Sequence, residues 1–235
     1  MTQIQQSPLW SDAEAAHYEQ ENYGPGLAGW VLKRSHALVE QPFDGSCRFE
    51  RVIEVGAGSG VHIKYVRHDY GEYVMTDGSD AMLDQMRSAA ATARHPDRVI
   101  VAKENAIAIR YPDSSFDRLI ATHVLEHVPR PHEVILEWAR LVKPGGIISV
   151  VLPCDPGLLW RTGRLFGPRA RAHARGLNYD YVMALEHVNS ITNLAAIIGF
   201  LFPDRDDKWW PVNLPLSDIN LIYVANIRVP RKDST

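Results

Sequence analysis

The sequence predicts an α/β protein organised on a doubly wound sheet, and three features of its first half carry that prediction. A β-branched run, Val52-Ile53-Glu54-Val55, closes on Gly56, Gly58 and Gly60 and passes into the helix-like spacing of Val61 to Val66, which is how a first strand, ligand loop and helix are written. A second run, Glu72 to Thr76, ends on Asp77, about twenty residues past the loop, where an acid can accept from both hydroxyls of a ribose. Strand-like runs then alternate with helical spacing as far as Leu152, the order expected of βα units.

The chain of 235 residues suits one large domain, or one domain with an added lid. No run of about eighteen apolar residues occurs, and Met1 to Gln6 lacks a charged start followed by an apolar stretch. A cytoplasmic protein without stable membrane insertion is expected. Cys47 and Cys154 form neither a disulfide framework nor a C-x-x-C pair. A net charge of −3 lacks the basic footprint of nucleic-acid binding, so no nucleic acid is expected.

In chain order, Ser11-Asp12-Ala13-Glu14 reads as a capped helix start, and Leu27, Trp30, Val31 and Leu38 recur at helical spacing after a break at Gly24-Pro25-Gly26. Residues 1–45 are therefore expected to be a helical cap, with Tyr18 and Tyr23 among its packing aromatics. The loop that follows the first strand reads G-x-G-x-G rather than the G-x-G-x-x-G of dinucleotide sites. Glu54 just ahead of it suits a cationic ligand better than a diphosphate, because like charges repel in a low-dielectric cleft.

A third strand is expected over Arg98 to Ala102, followed by Glu104-Asn105-Ala106, and a fourth over Arg118 to Thr122. An amphipathic helix, Glu133 to Val142, stops at Lys143-Pro144-Gly145-Gly146 and turns into a fifth strand, Ile147 to Leu152. From Pro153 to Met183 the pattern lapses into Gly, Pro, Arg and aromatics, the mark of a functional insertion over the site. A helix over Ser190 to Ile198 follows, and the last two strands are expected around Phe200-Leu201-Phe202 and from Ile219 to Val229. This divides the chain into a cap (1–45), a ligand-binding core (46–153), a lid insertion (154–188) and a C-terminal part of the sheet (189–235).

Glu54-x-Gly56-x-Gly58-x-Gly60 resembles motif I of the class I S-adenosylmethionine-dependent methyltransferases. Asp77-Gly78-Ser79-x-x-Met82-Leu83, Tyr111-Pro112-Asp113-Ser114-Ser115-Phe116-Asp117 and Leu141-Val142-Lys143-Pro144-Gly145-Gly146 resemble later family motifs, in the family's order. The departure is Asn105, where the family usually has the aspartate of G-D-A; its carbonyl oxygen can still accept from an adenine amino group. The resemblance covers about Arg51 to Leu152 and is nearest the quinone-biosynthesis type of small-molecule enzymes. It implies a Rossmann-like, seven-stranded mixed sheet with helices on both faces and an antiparallel final hairpin. It also implies S-adenosyl-L-methionine as cofactor and S-adenosyl-L-homocysteine as product. The cofactor residues carried over are Tyr18, Glu54, Gly56, Ala57, Gly58, Gly60, Asp77, Gly78, Ser79, Met82, Asn105, Ala106 and Thr122, with Tyr18 and Tyr23 in a lid and Tyr23 toward the substrate.

Methyl transfer of this kind needs alignment above all, and a general base only where the acceptor arrives protonated. His123, just past strand four, is the best placed candidate, with Glu186 and His187 second and His127 structural. His123-Val124-Leu125-Glu126-His127 also matches the H-x-x-E-H zinc signature, but Pro129 and Pro131 cut the helix such a site requires. No metal is therefore expected. Arg161, Arg164, Arg169, Arg171 and Arg175 share a segment without acids, and removing five positive charges from the net −3 leaves −8 on the remainder. Arg161 and Arg164 are thus candidates to hold an anionic small-molecule acceptor. Oxygen, nitrogen and carbon acceptors stay open, as does a homodimer. The alternatives are a catalytically silent S-adenosylmethionine-binding regulator and, behind it, an NAD(P)-dependent reductase.

Overall fold

Apolar runs without alternation become the interior of the sheet. The computed structural model describes residues 23–165, 168–174, 176 and 178–231. Strand β1 (Arg48–Val55) starts partly exposed and ends in four buried residues, as a parallel strand covered on both faces must. It lies between β2 (Asp69–Asp77) and β4 (Phe116–Thr122), parallel to both. With β3 (Val99–Lys103), β5 (Val142–Pro153), β6 (Arg205–Trp210) and β7 (Ile222–Arg228) the sheet has seven strands in the order β3-β2-β1-β4-β5-β7-β6. Only β7 runs antiparallel to its neighbours β5 and β6. The order reverses between β1 and β4, and open α/β sheets bind ligands at the carboxyl ends of strands beside such a reversal.

Alternate residues of the central strands feed the two faces. Ile53, Val55, Leu119 and Ala121 pack with α3 (Pro131–Leu141) and α7 (Ile191–Leu201) around fully buried Trp138. On the other face, Val52, Met75 and Ile120 meet Met86, Ala89 and Ala90 of α2 (Asp80–Ala90). The helix α1 (Leu27–Val39) lays Val31, Leu38 and Val39 on Val151, Ile222 and Val224. Three short helices, α4 (Leu158–Leu165), α5 (Pro168–Ala174) and α6 (Tyr179–Glu186), follow β5 where an irregular insertion was expected.

Two expectations fail. The helix after the glycine loop is only a five-residue 3₁₀ turn, Val61–Tyr65, because β2 already begins at Asp69 and leaves little chain for more. The stretch Phe200 to Phe202 is not a strand: Phe200 and Leu201 complete α7, whose Leu194 and Ile198 set the helical period, Phe202 follows its last turn, and Phe200 is 87% exposed. The sixth strand is instead the polar Arg205–Trp210, which suits an edge that is covered on one side only. Residues 179–201 are apolar enough for a membrane span by composition, yet they form two helices parted by His187 to Ser190, with the Ser190 hydroxyl capping α7 at Asn193.

Candidate functional site

All three loop glycines take positive φ, 67° at Gly56, 54° at Gly58 and 75° at Gly60, which strains any residue with a Cβ. A Cβ on Gly56 would stand 2.6 Å from Val124 Cγ2, and one on Gly60 would stand 2.5 Å from Met75 Cε. Gly60 therefore serves packing beneath the loop. Asp77 clips the loop to the end of β2: one carboxylate oxygen accepts from the Gly58 N–H and the other from the Ser79 N–H, both at 2.9 Å. An ionised carboxylate has about four lone-pair sites, so Asp77 retains capacity for ribose hydroxyls. Glu54 is buried under the loop, accepts from the Tyr73 hydroxyl at 2.8 Å and does not line the cavity. Burial pushes its carboxyl above the ordinary range.

A cavity of about 980 Å³ opens over this loop, at the upper end of the range for small-molecule sites. Gly56, Ala57, Gly58, Asp77, Thr122 and His123 line it from the sheet, Tyr23 and α1 from one side, and α4 to α6 from the other. Other expected residues fall elsewhere. Met82 is 1% exposed and belongs to the core under α2, because its place in the helix faces the sheet; its side chain is not offered to a ligand. Gly78 is exposed and Ser79 half-buried, outside the lining. Asn105 is exposed, with its side-chain oxygen accepting from the Ile107 N–H at 3.0 Å, and the Ala106 carbonyl accepts from Trp138 Nε1. Tyr18 and Arg175 lie outside the described residues.

The arginine-rich segment is less available to an anion than its sequence suggests. Arg161 is exposed and does not line the cavity. Arg164 does, but both its terminal nitrogens are drawn to Asp155, at 3.0 and 3.3 Å, an acid just before the segment that counting charges inside it overlooks. Arg169 pairs with Asp180, whereas Arg171 lines the cavity.

Two chains of carboxylates and histidines reach the cavity. On the α1 side, Tyr23 Oη lies 2.8 Å from His36 Nε2, His36 Nδ1 lies 3.0 Å from His62 Nδ1, and His62 Nε2 lies 3.1 Å from Glu40 Oε1. Glu40 is in turn paired with fully buried Arg118, at 2.7 and 3.0 Å. With Glu40 ionised, one proton pattern satisfies the chain: His62 donates to Glu40, His36 to His62 and Tyr23 to His36. On the insertion side, His187 Nδ1 lies 2.8 Å from Asp155 Oδ2, and His127 Nδ1 lies 2.8 Å from the Glu186 carbonyl. Glu186 and His187 thus stand as partners of His127 and Asp155 rather than as isolated bases. Between the two chains sits His123, at φ 59°, its Nε2 3.1 Å from Ser35 Oγ and its Nδ1 3.5 Å from Glu126 Oε1. Residues 124 to 127 form a turn, so His123 and His127 do not share a helix. Glu40, His36, His62, Arg118 and Asp155 were not anticipated as site residues. Asp155 had a signal, its place at the carboxyl end of a strand.

Residues 53–150, the span from β1 to β5, match the family described as "Methyltransferase domain". This segment is a methyltransferase domain. Its motifs, seven-stranded sheet and glycine loop fit the class I, S-adenosylmethionine-dependent type. The chain is 30% identical over 116 residues to the 27-O-demethylrifamycin SV methyltransferase of Amycolatopsis mediterranei, covering 46% of this chain and 42% of that one. It is 29% identical over 137 residues to the ubiquinone biosynthesis O-methyltransferase of Burkholderia cenocepacia, covering 58% and 54%. The chain thus spans about half the length of these curated relatives. In fold, the methyltransferase domain and its surroundings resemble the Haemonchus contortus phosphoethanolamine N-methyltransferase 2 in complex with S-adenosyl-L-methionine. That likeness has a TM-score of 0.63 at 14% identity, covering 96% of this chain and 58% of that one.

Proposed function

We propose that the protein is an S-adenosylmethionine-dependent methyltransferase whose acceptor is a small molecule entering between α1 and the α4–α6 insertion. The observation that carries this reading is one continuous cavity lined by the glycine loop and Asp77 together with His123, Arg171 and the insertion. Gly56, Ala57 and Gly58 would hold the cofactor against bare backbone, and Asp77 would accept from its ribose. When bound, S-adenosylmethionine supplies an electrophilic methyl carbon on a sulfonium.

What the chain contributes is position. The loop is fixed by Asp77, His123 by Ser35 and Glu126, and the roof by α1 and the insertion. Orientation of this kind is worth roughly 7–11 kcal/mol. Val31, Leu32, Val124, Leu159 and Val182 give the cavity apolar walls, which favours a largely apolar acceptor with a few polar groups over a highly charged one. The two relatives named as a demethylrifamycin methyltransferase and a ubiquinone-biosynthesis O-methyltransferase direct the choice toward oxygen acceptors. The test is transfer of labelled methyl from S-adenosylmethionine to a panel of hydroxylated aromatic acceptors. Product with wild type and none with Asp77→Ala is expected; no product from any hydroxyl, amine or carbon acceptor would count against the reading.

A further inference from the structure

The turn after β4 and the end of α6 bring Glu126, His127 and His187 together on the cavity wall, with one ligand atom from each inside 4.8 Å of the others. Several observations bear on what this group is for. His127 Nδ1 faces the Glu186 carbonyl and His187 Nδ1 faces the Asp155 carboxylate, each at 2.8 Å. A carbonyl or carboxylate can only receive a proton, so both rings carry it on Nδ1, and Nε2 is the acceptor nitrogen of each. A histidine backed by a carbonyl or carboxylate in this way is how protein ligands to metals are fixed. Asp155 is itself held by Arg164.

Glu126 adds a second kind of observation. Its side chain is 2% exposed, and its Oε2 has no hydrogen-bond partner among the described residues. A buried carboxylate oxygen without a partner is costly. The backbone holds the group in register: the Glu126 carbonyl accepts from the N–H groups of Val188 and Asn189 at 2.9 and 3.2 Å, and the Asn189 side chain bonds the Leu125 and Val128 carbonyls. The turn and the insertion are therefore stapled at the point where their side chains converge.

We propose that Glu126, His127 and His187 bind one divalent metal ion of the zinc type, with an open coordination position toward the cavity. Two imidazoles and one carboxylate are a zinc-type donor set, whereas magnesium and calcium call for oxygen alone. Donors about 2.1 Å from a common ion in a tetrahedral shell are about 3.4 Å apart, so ligand atoms within 4.8 Å of one another close by up to about 1.4 Å when the ion enters. This reverses the expectation that the chain holds no metal. That expectation weighed His123 and His127 on one helix, but the third ligand comes from the insertion, and His123 turns to Ser35. All three ligands line the cavity, so an acceptor oxygen can complete the shell; that last role rests on the methyltransferase reading, while metal binding does not.

The test uses the full chain, stripped with chelator and titrated with Zn²⁺ by calorimetry and with Co²⁺ by visible absorption. Wild type should bind one ion per chain. Glu126→Gln and His187→Ala should each weaken binding about a hundredfold, and Asp155→Asn about 10- to 100-fold through loss of His187 orientation. His123→Ala should stay within about threefold. S-adenosylhomocysteine affinity, measured on every variant, shows that the fold is intact and keeps the cofactor assignment separate. No stoichiometric ion on wild type, or equal affinity in folded His187→Ala, would overturn the proposal. Loss of the ion in His123→Ala with retention in His187→Ala would overturn it equally.

Discussion

Glu40 on one side of the cavity and Glu126 on the other are both buried carboxylates flanked by histidines, but the chain meets their charges differently. Both oxygens of Glu40 face Arg118, at 2.7 and 3.0 Å, and His62 approaches one of them. Glu126 has histidines at 3.5 and 3.9 Å from one oxygen and, among the described residues, no hydrogen-bond partner on the other. Burial alone would push both carboxyls up. Arg118 and His62 more than offset that for Glu40, holding it far below the usual range, and His123 and His127 offset it for Glu126. A carboxylate held on both oxygens by a buried guanidinium fixes α1 to the sheet; one with an unpartnered oxygen beside a cavity leaves a place for a ligand.

The largest expected effect breaks the completed side. Arg118→Met leaves Glu40 as an uncompensated buried charge, which costs about 3–5 kcal/mol. Glu126→Gln, which removes a poorly partnered charge, should change stability by less than about 1 kcal/mol. Urea unfolding of both variants checks the contrast; equal losses would erase it.

Next comes pH. His68, packed against Phe49 and facing Arg118, Glu40 and His62, is pushed down to about 4, first by burial and then by the Arg118 charge. His36 is held well below the ordinary value by burial and by His62 and His123. In the unfolded chain both bind protons near about 6.5. Between roughly 4 and 6.5 the unfolded state therefore holds more protons, and stability rises with pH there. The contribution is complete above that window and is lost as pH falls through it, by about 3 kcal/mol for His68 alone. Unfolding free energies measured from about pH 7.5 to 4.5 should show this slope, and His68→Phe should flatten it. Tyr23→Phe, which removes the outermost bond of the Glu40 chain, should cost about 1 kcal/mol in the same unfolding measurement.

The sequence made the glycine loop, Asp77 and the five parallel strands legible because each is written in adjacent residues: a β-branched run, a glycine spacing, an acid at a strand end. Glu40 and Arg118 were not legible, since 78 positions separate them and neither breaks a local pattern. Met82 misled because a motif fixes a residue type without fixing which face of the helix it occupies. The sixth strand was sought in apolar residues, while the edge of the sheet is written in Arg205, Asp206, Asp207 and Lys208. His187 was noticed, but its partners Asp155, His127 and Glu126 become neighbours only once the insertion folds back over β4 and β5.

The measurement that bears most directly on the account is calorimetric titration of S-adenosylhomocysteine into wild type and Asp77→Ala, with NADH and NADPH as comparison ligands. Asp77 closes the loop through Gly58 and faces the cavity, and a hydrogen bond to a charged group is worth about 1.5–3 kcal/mol. The account predicts one site per wild-type chain, at least about tenfold weaker binding in Asp77→Ala, and no heat from either nicotinamide. Binding of a nicotinamide in place of S-adenosylhomocysteine, or an Asp77→Ala affinity within about twofold of wild type, would contradict it.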